Sequence, residues 1–202
     1  MSDELVTRSV ALPGGEFTLL QPRESAELPD SGGVEWAPIA PYWSVLWRSG
    51  VALARALDRA ELRGLRLVEL GCGLAVPSIA AARAGAFVLA TDGCSEALAL
   101  AERNARANAV TVETATADWT SPEGLVARAP FDLVLAADVL YERRNVEPLL
   151  SLLPRLAERV WLADPGRPAA DSFLEEAQGR WTVATQAHGV VQIHRMVLGA
   201  GR

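Results

Sequence analysis

The chain has 202 residues, half of them apolar, enough for one globular unit with a sizeable core and with no need for a second. Its formal net charge of −6 argues against non-specific nucleic-acid binding, which needs a basic patch, and no apolar run is long enough to span a bilayer. Two cysteines, Cys72 and Cys94, and two histidines, His188 and His194, are too few and too scattered for a disulfide framework or a zinc site, so no metal is expected and both thiols read as reduced.

Met1-Ser2-Asp3-Glu4 carries acids and no apolar core, so no signal peptide is expected and the expected location is cytoplasmic. Over 1–64, Pro22, Pro29, Pro38 and Pro41 punctuate a region without helix–strand alternation, which predicts an irregular or hairpin-forming cap with a helix inside 45–57. From Leu65 to the end, short apolar runs alternate with amphipathic segments, the pattern of strand–helix units that build a parallel sheet as one globular unit, 65–202. Strands are predicted over 66–70, 87–91, 110–117, 131–137 and 159–163, and helices over 75–84, 95–108, 146–157 and 169–178. Pro77 is tolerable because it falls in a first helical turn, and Gly85 ends that helix. The apolar 131–137 run reads as a central strand buried on both faces. Segments 181–186 and 190–197, separated by His188-Gly189, read as a terminal hairpin. The fold class is α/β: a Rossmann-like, doubly wound, seven-stranded sheet with five parallel strands, a C-terminal antiparallel hairpin and an N-terminal cap.

The first predicted strand runs into Val68-Glu69-Leu70-Gly71-Cys72-Gly73. A Gly-x-Gly turn between strand and helix lets the backbone approach a ligand, although an ordinary turn shares the pattern. The dinucleotide fingerprint adds a third glycine, but this chain has Val76 there, followed by Pro77, so a diphosphate is disfavoured. Glu69 facing the turn would repel phosphate and accept a hydrogen bond from an ammonium group. Asp92, ending the second strand, sits where an acid accepts from ribose hydroxyls; a turn or helix-capping role is the other reading. Asp118 after the third strand suits an adenine amino group, and Trp119 suits either covering that ring or filling core.

Carboxyl ends of parallel strands are where such sheets bind ligands, so three acids on three successive strand ends suit a nucleoside carrying an amino acid, as in S-adenosylmethionine. Ala136-Ala137-Asp138-Val139-Leu140-Tyr141 then brings an acid and an aromatic off the fourth strand beside that donor, the candidate acceptor site. Helix capping for Asp138 and packing for Tyr141 are the structural alternatives. Tyr42, Trp43 and Trp47 crowd the cap, where they would close over a ligand and exclude water, and Asp164-Pro165-Gly166-Arg167-Pro168 follows the fifth strand at the same edge. Arg143-Arg144 reads as a solvated pair.

The series Glu69-Leu-Gly-Cys-Gly73, Asp92, Asp118-Trp119 and Asp138-Val-Leu-Tyr141 resembles the motifs of the seven-β-strand (class I) S-adenosylmethionine-dependent methyltransferases. The Trp47-containing cap and the Asp-x-x-Tyr resemble the lysine methyltransferase group formerly called nicotinamide N-methylase-like. Pro41-Tyr-Trp and Asp164-Pro-Gly-Arg-Pro168 are nearest to the electron-transfer flavoprotein β-subunit lysine methyltransferases. The resemblance implies that Trp47, Gly71, Cys72, Gly73, Asp92, Trp119 and Ala137 contact the cofactor while Asp138 and Tyr141 shape the acceptor site. Its implied partner is a protein with an accessible lysine, such as the flavoprotein β subunit, and its implied product is S-adenosylhomocysteine; a monomer is expected. Glu142-Arg143-Arg144 departs from that subgroup, which tends to be acidic there, and leaves the target open. A small-molecule amine methyltransferase and a non-catalytic cofactor-binding module are the competing readings.

Overall fold

A computed structural model describes residues 4–26 and 41–199. Pro29 and Pro38, part of the expected punctuation of the cap, lie outside the described residues, as does the Met1–Asp3 start. The cap opens with a hairpin, β1 (Leu5–Leu12) against β2 (Gly15–Pro22), in register from Leu5↔Pro22 to Leu12↔Gly15. A short helix α1 (Arg23–Ala26), a 3₁₀ turn at Tyr42–Ser44 and α2 (Arg48–Leu57) follow.

The alternating core comprises β3 (Arg66–Leu70), α3 (Val76–Arg83), β4 (Phe87–Asp92), α4 (Ser95–Ala107), β5 (Glu113–Thr116) and the single-turn α5 (Glu123–Val126). It continues with β6 (Leu133–Ala137), α6 (Val146–Leu156), β7 (Arg159–Asp164), α7 (Pro168–Ala177), β8 (Trp181–His188) and β9 (Val191–Leu198). The sheet order is β5-β4-β3-β6-β7-β9-β8, with β3 to β7 paired in parallel and β9 antiparallel to both β7 and β8. The strand 131–137 is central as expected, although pairing starts at Leu133. Its first residues enter by other bonds, Phe131 N–H to the Leu156 carbonyl at 2.8 Å and Asp132 N–H to the Arg66 carbonyl at 2.7 Å.

The third strand is shorter than the 110–117 alternation implies. Ala109 is left-handed (φ 55°) and the Val110 N–H returns to the Ala105 carbonyl at 3.1 Å, so the helix exit consumes the residues that would have begun the strand. Val112 is still buried, which explains the alternating pattern without strand pairing.

Successive residues of β3 serve opposite faces: Leu67 joins the cluster with Leu53, Ile79 and Leu100, while Val68 joins that with Leu149, Leu153 and Phe173. Helices therefore cover both faces, α2 to α4 on one and α6 and α7 on the other. The hairpin packs on the first face through Phe17 and Leu19. Asn104 of α4 and Asn108, the residue that caps its C-terminus, act as substitute peptides along the outer edge of β2: Leu20 N–H donates to Asn104 Oδ1 (2.7 Å) and Thr18 N–H to Asn108 Oδ1 (2.9 Å), and the two amides return bonds to the Leu20 and Thr18 carbonyls. Asn104 Nδ2 also reaches the Leu74 carbonyl at 3.1 Å, tying the cap to the loop after β3.

The order of strands reverses between β3 and β6, since β4 and β5 lie to one side of β3 and β6 and β7 to the other. Loops leaving the carboxyl ends of β3 and β6 diverge there and open a crevice, the usual ligand position in open α/β sheets.

Candidate active site

The turn after β3 is built from three left-handed residues, Gly71 (φ 64°), Gly73 (φ 48°) and Ala75 (φ 61°). At Gly73 a side chain is excluded twice over, by the dihedral and because a Cβ would lie 2.8 Å from the Trp43 carbonyl oxygen. The turn is held by Cys72 N–H to the Thr91 carbonyl (2.9 Å) and Gly73 N–H to Asp92 Oδ2 (2.9 Å). Asp92 Oδ1 accepts the Cys94 N–H at 3.0 Å, so this acid organises both glycine turn and α4 entry.

Ala75 occupies the N-cap of α3 and has no side chain to offer its N–H groups. Glu69 supplies the cap from the strand: Oε2 accepts the Ser78 N–H at 2.9 Å and the Ser78 hydroxyl. Burial pushes the Glu69 carboxyl up to about 8 against the opposing Ser78 bonds, with the Asp92 charge adding to the rise. The expected turn-facing acid thus lines the cavity while one oxygen is committed to α3. The Cys72 thiol is also pushed up by burial and then by the Glu69 and Asp92 charges, a buried wall and not a nucleophile.

After β5, Asp118 Oδ1 accepts from the N–H (2.8 Å) and hydroxyl (2.7 Å) of Thr120, which lowers its carboxyl. Trp119 reaches back over the glycine turn, its Cζ2 lying 3.4 Å from where a Gly71 Cβ would be. The four elements bound one cavity of about 790 Å³, lined by Glu69, Gly71, Cys72, Gly73, Asp92, Asp118, Trp119 and Ala137.

On the acceptor side, Asp138 leaves β6 in a left-handed conformation (φ 57°), fixed by its N–H bond to the Ala163 carbonyl at 2.9 Å. Its carboxylate, only 7% exposed, meets Arg167: Oδ1 accepts Nη2 at 3.0 Å and Nε at 3.3 Å. The Asp164–Pro168 loop stands out in the sequence, but the pairing of its Arg167 with Asp138 does not. The guanidinium stands 5.8 Å from the Trp47 ring, Trp47 Nε1 donates to the Tyr42 carbonyl (2.9 Å), and Tyr42 packs 5.3 Å from Tyr141. Tyr141 stays 38% exposed at the rim, and burial of the remainder raises its phenol. The aromatic cap is pinned from below: Ser44 Oγ donates to the Pro41 carbonyl (2.8 Å), and Gln21 Nε2 donates to the Ser44 carbonyl (2.9 Å). Among the described residues no cluster of His, Cys, Asp and Glu could hold a metal ion.

A doubly wound sheet with a reversed terminal pair, a glycine turn after its first core strand and acids after the next two defines the class I methyltransferase fold. A 16S rRNA N2 G1207 methyltransferase of T. thermophilus, solved with AdoMet and guanosine, shares it at a TM-score of 0.72 and 17% identity over 96% of this chain and 51% of that one. The chain belongs to the lysine methyltransferase family, whose sequence model matches residues 42–163. It is similar to a histone-arginine methyltransferase, METTL23, of Xenopus laevis (32% identical over 70% of this chain) and to the electron transfer flavoprotein beta subunit lysine methyltransferase of the same organism (33% over 65%). The matched stretch spans 65% and 55% of those two relatives' own lengths.

S-adenosylmethionine is the cofactor of this class, and the donor set fits it. The lining places three carboxyls and a tryptophan around a backbone cradle, and its cations, Arg144 and Arg167, are each paired with an acid. Such a set suits ribose hydroxyls, an adenine ring and an ammonium group, and offers a diphosphate no unpaired cation among the described residues.

Proposed function

We propose that the protein transfers a methyl group from S-adenosylmethionine to a lysine side chain of another protein. The observation that carries this reading is a single cavity in which the Gly71–Gly73 turn and the strand-end acids meet Asp138, Tyr141 and the aromatic cap. Glu69, Asp92, Asp118 and Trp119 would hold the cofactor, together with Trp47, Cys72 and Ala137. When bound, the cofactor supplies a methyl carbon already activated by sulfonium, so no covalent intermediate with the protein is needed.

The chain's own residues then have three tasks. Tyr42, Trp47 and Tyr141 wall the approach and exclude water, which favours a near-attack alignment. The apolar wall disfavours the charged ammonium, so the acceptor sheds its proton to solvent at the exposed edge of Tyr141. Asp138, already bonded to Arg167, orients the acceptor and is not the base.

The half-exposed Tyr141 supports a protein loop as the acceptor over an enclosed small amine. An arginine acceptor is the second reading, favoured by the similarity to METTL23. The flavoprotein β subunit is the target suggested by the second relative's name, and cytoplasmic residence by the free thiols Cys72 and Cys94. Residues 65–202 with 1–64 as their cap are taken as one functional unit, supported by the core that Phe17 and Leu19 share with Leu53 and Ile79. Incubation with methyl-labelled S-adenosylmethionine and host lysate, followed by mass spectrometry, tests the reading: methyl-lysine on a protein is expected. Label on a small amine with none on any protein overturns it.

A further inference from the structure

Arg167 lies between two buried carboxylates. Its guanidinium holds Asp138 Oδ1 at 3.0 Å, while its Nε stands 4.0 Å from Asp164 Oδ2, beyond hydrogen-bond reach. Asp164 is 1% exposed, and that oxygen takes no hydrogen bond from the described residues. The other oxygen, Oδ1, is satisfied by the N–H groups of Gly166 (2.7 Å) and Arg167 (2.6 Å), so the loop is fixed while Oδ2 is left without a partner. A buried carboxylate oxygen with no donor is costly, and a cation one short side-chain movement away relieves it.

We propose that Arg167 occupies the place of the acceptor's ammonium group on Asp138 and withdraws to Asp164 when a cationic acceptor enters. This deepens the reading above, on which it rests for the identity of the acceptor, and makes Arg167 a specificity-determining residue. The exchange conserves charge: one cation leaves Asp138 as another arrives, and Asp164 gains the partner it lacks. Neutral ligands give no such compensation, so the site selects a primary ammonium before deprotonation. The Trp47 ring stands 5.8 Å from the guanidinium and is tied through Tyr42 to Tyr141, so withdrawal of Arg167 also loosens the aromatic rim around the entering side chain.

The test uses the S-adenosylhomocysteine-loaded protein and n-butylammonium, the lysine side-chain analogue, with n-butanol as neutral control, read by ligand-observed nuclear magnetic resonance. Arg167→Ala, which frees Asp138, is expected to bind n-butylammonium about tenfold more tightly than wild type, the scale of a close charge pair, with n-butanol unchanged. Asp138→Asn added to it abolishes the gain. Asp164→Asn, which removes the retreat, weakens n-butylammonium binding while leaving S-adenosylhomocysteine affinity within about twofold, and Arg167→Lys restores wild-type behaviour. Equal n-butylammonium affinity in wild type and Arg167→Ala, or in wild type and Asp164→Asn should the first variant fold poorly, overturns the proposal. Methyl transfer is scored separately: a lysate that acquires no label while the ammonium affinities behave as stated removes the lysine reading and leaves the cation exchange standing.

Discussion

Glu69 offers the most quantitative test of the site. Its carboxyl is held at about 8 against an ordinary 4.5, a difference of 3.5 (8 − 4.5), or about 5 kcal/mol at 1.36 kcal/mol for each pKa unit. The folded value is raised, so the folded chain binds the proton more tightly than the unfolded chain. The corresponding stability is fully present below about pH 4.5, falls as pH rises, and is gone above about pH 8. Glu69→Gln keeps an acceptor for the Ser78 N–H and removes the titration. Urea denaturation followed by tryptophan fluorescence is expected to show the wild type losing about 3 kcal/mol more than Glu69→Gln between roughly pH 5 and 7.5. Parallel curves over that range would mean that Glu69 ionises near its ordinary value, and the account of α3 capped by a buried neutral carboxyl would be refuted.

An ammonium group brought beside Glu69 favours its ionised form, so S-adenosylhomocysteine binding near pH 7 should release a proton; calorimetric enthalpies in phosphate and in Tris should differ in the wild type and agree in Glu69→Gln. Gly73→Ala should weaken S-adenosylhomocysteine at least tenfold, because the left-handed dihedral costs about 1–2 kcal/mol and the new Cβ displaces the Trp43 carbonyl; Gly124→Ala, whose Cβ would meet nothing within 4 Å, should be tolerated, and equal losses in both would sink the steric reasoning. Asn104→Ala strips the Leu20 N–H and the Leu20 and Leu74 carbonyls of a partner and should destabilise by about 2–3 kcal/mol, read by thermal unfolding, with hydrogen exchange accelerated first in β2.

The sheet was legible because its strands are apolar runs bounded by glycine and acids, a purely local signal; Leu133–Ala137 and Phe87–Asp92 appear almost where the pattern puts them. What failed locally failed for a stated reason, as when the left-handed Ala109 shortened β5. The strand-end acids were legible as positions and not as partners. Glu69 turns to Ser78 because Ala75 cannot cap its own helix, a signal visible in the missing Ser, Thr, Asp or Asn at that position. Arg167 was beyond such reading, since its pairing with Asp138 joins two loops 29 residues apart that only the order β6-β7 brings side by side. The roles of Asn104 and Asn108 depend likewise on β2 arriving from more than 80 residues away.

These partnerships change what an acid-rich site can do. A methyl transfer from sulfonium to a neutral amine moves one positive charge from donor to acceptor, so a bare carboxylate near the donor would stabilise the starting state and one near the acceptor would keep the amine protonated. Neither is present. Asp92 is spent on the Gly73 and Cys94 N–H groups, Asp118 on Thr120, Glu69 holds its proton to about 8, and Asp138 is balanced by Arg167. The chain carries a net charge of −6 and yet has the carboxyls lining its cavity compensated one by one. On the proposed function, rate enhancement then falls chiefly to alignment and exclusion of water by the Tyr42, Trp47 and Tyr141 wall. On the proposed function Tyr141, packed against Tyr42 at the rim of the cavity, governs the rate more than any strand-end acid does, and the acids govern which molecules are admitted.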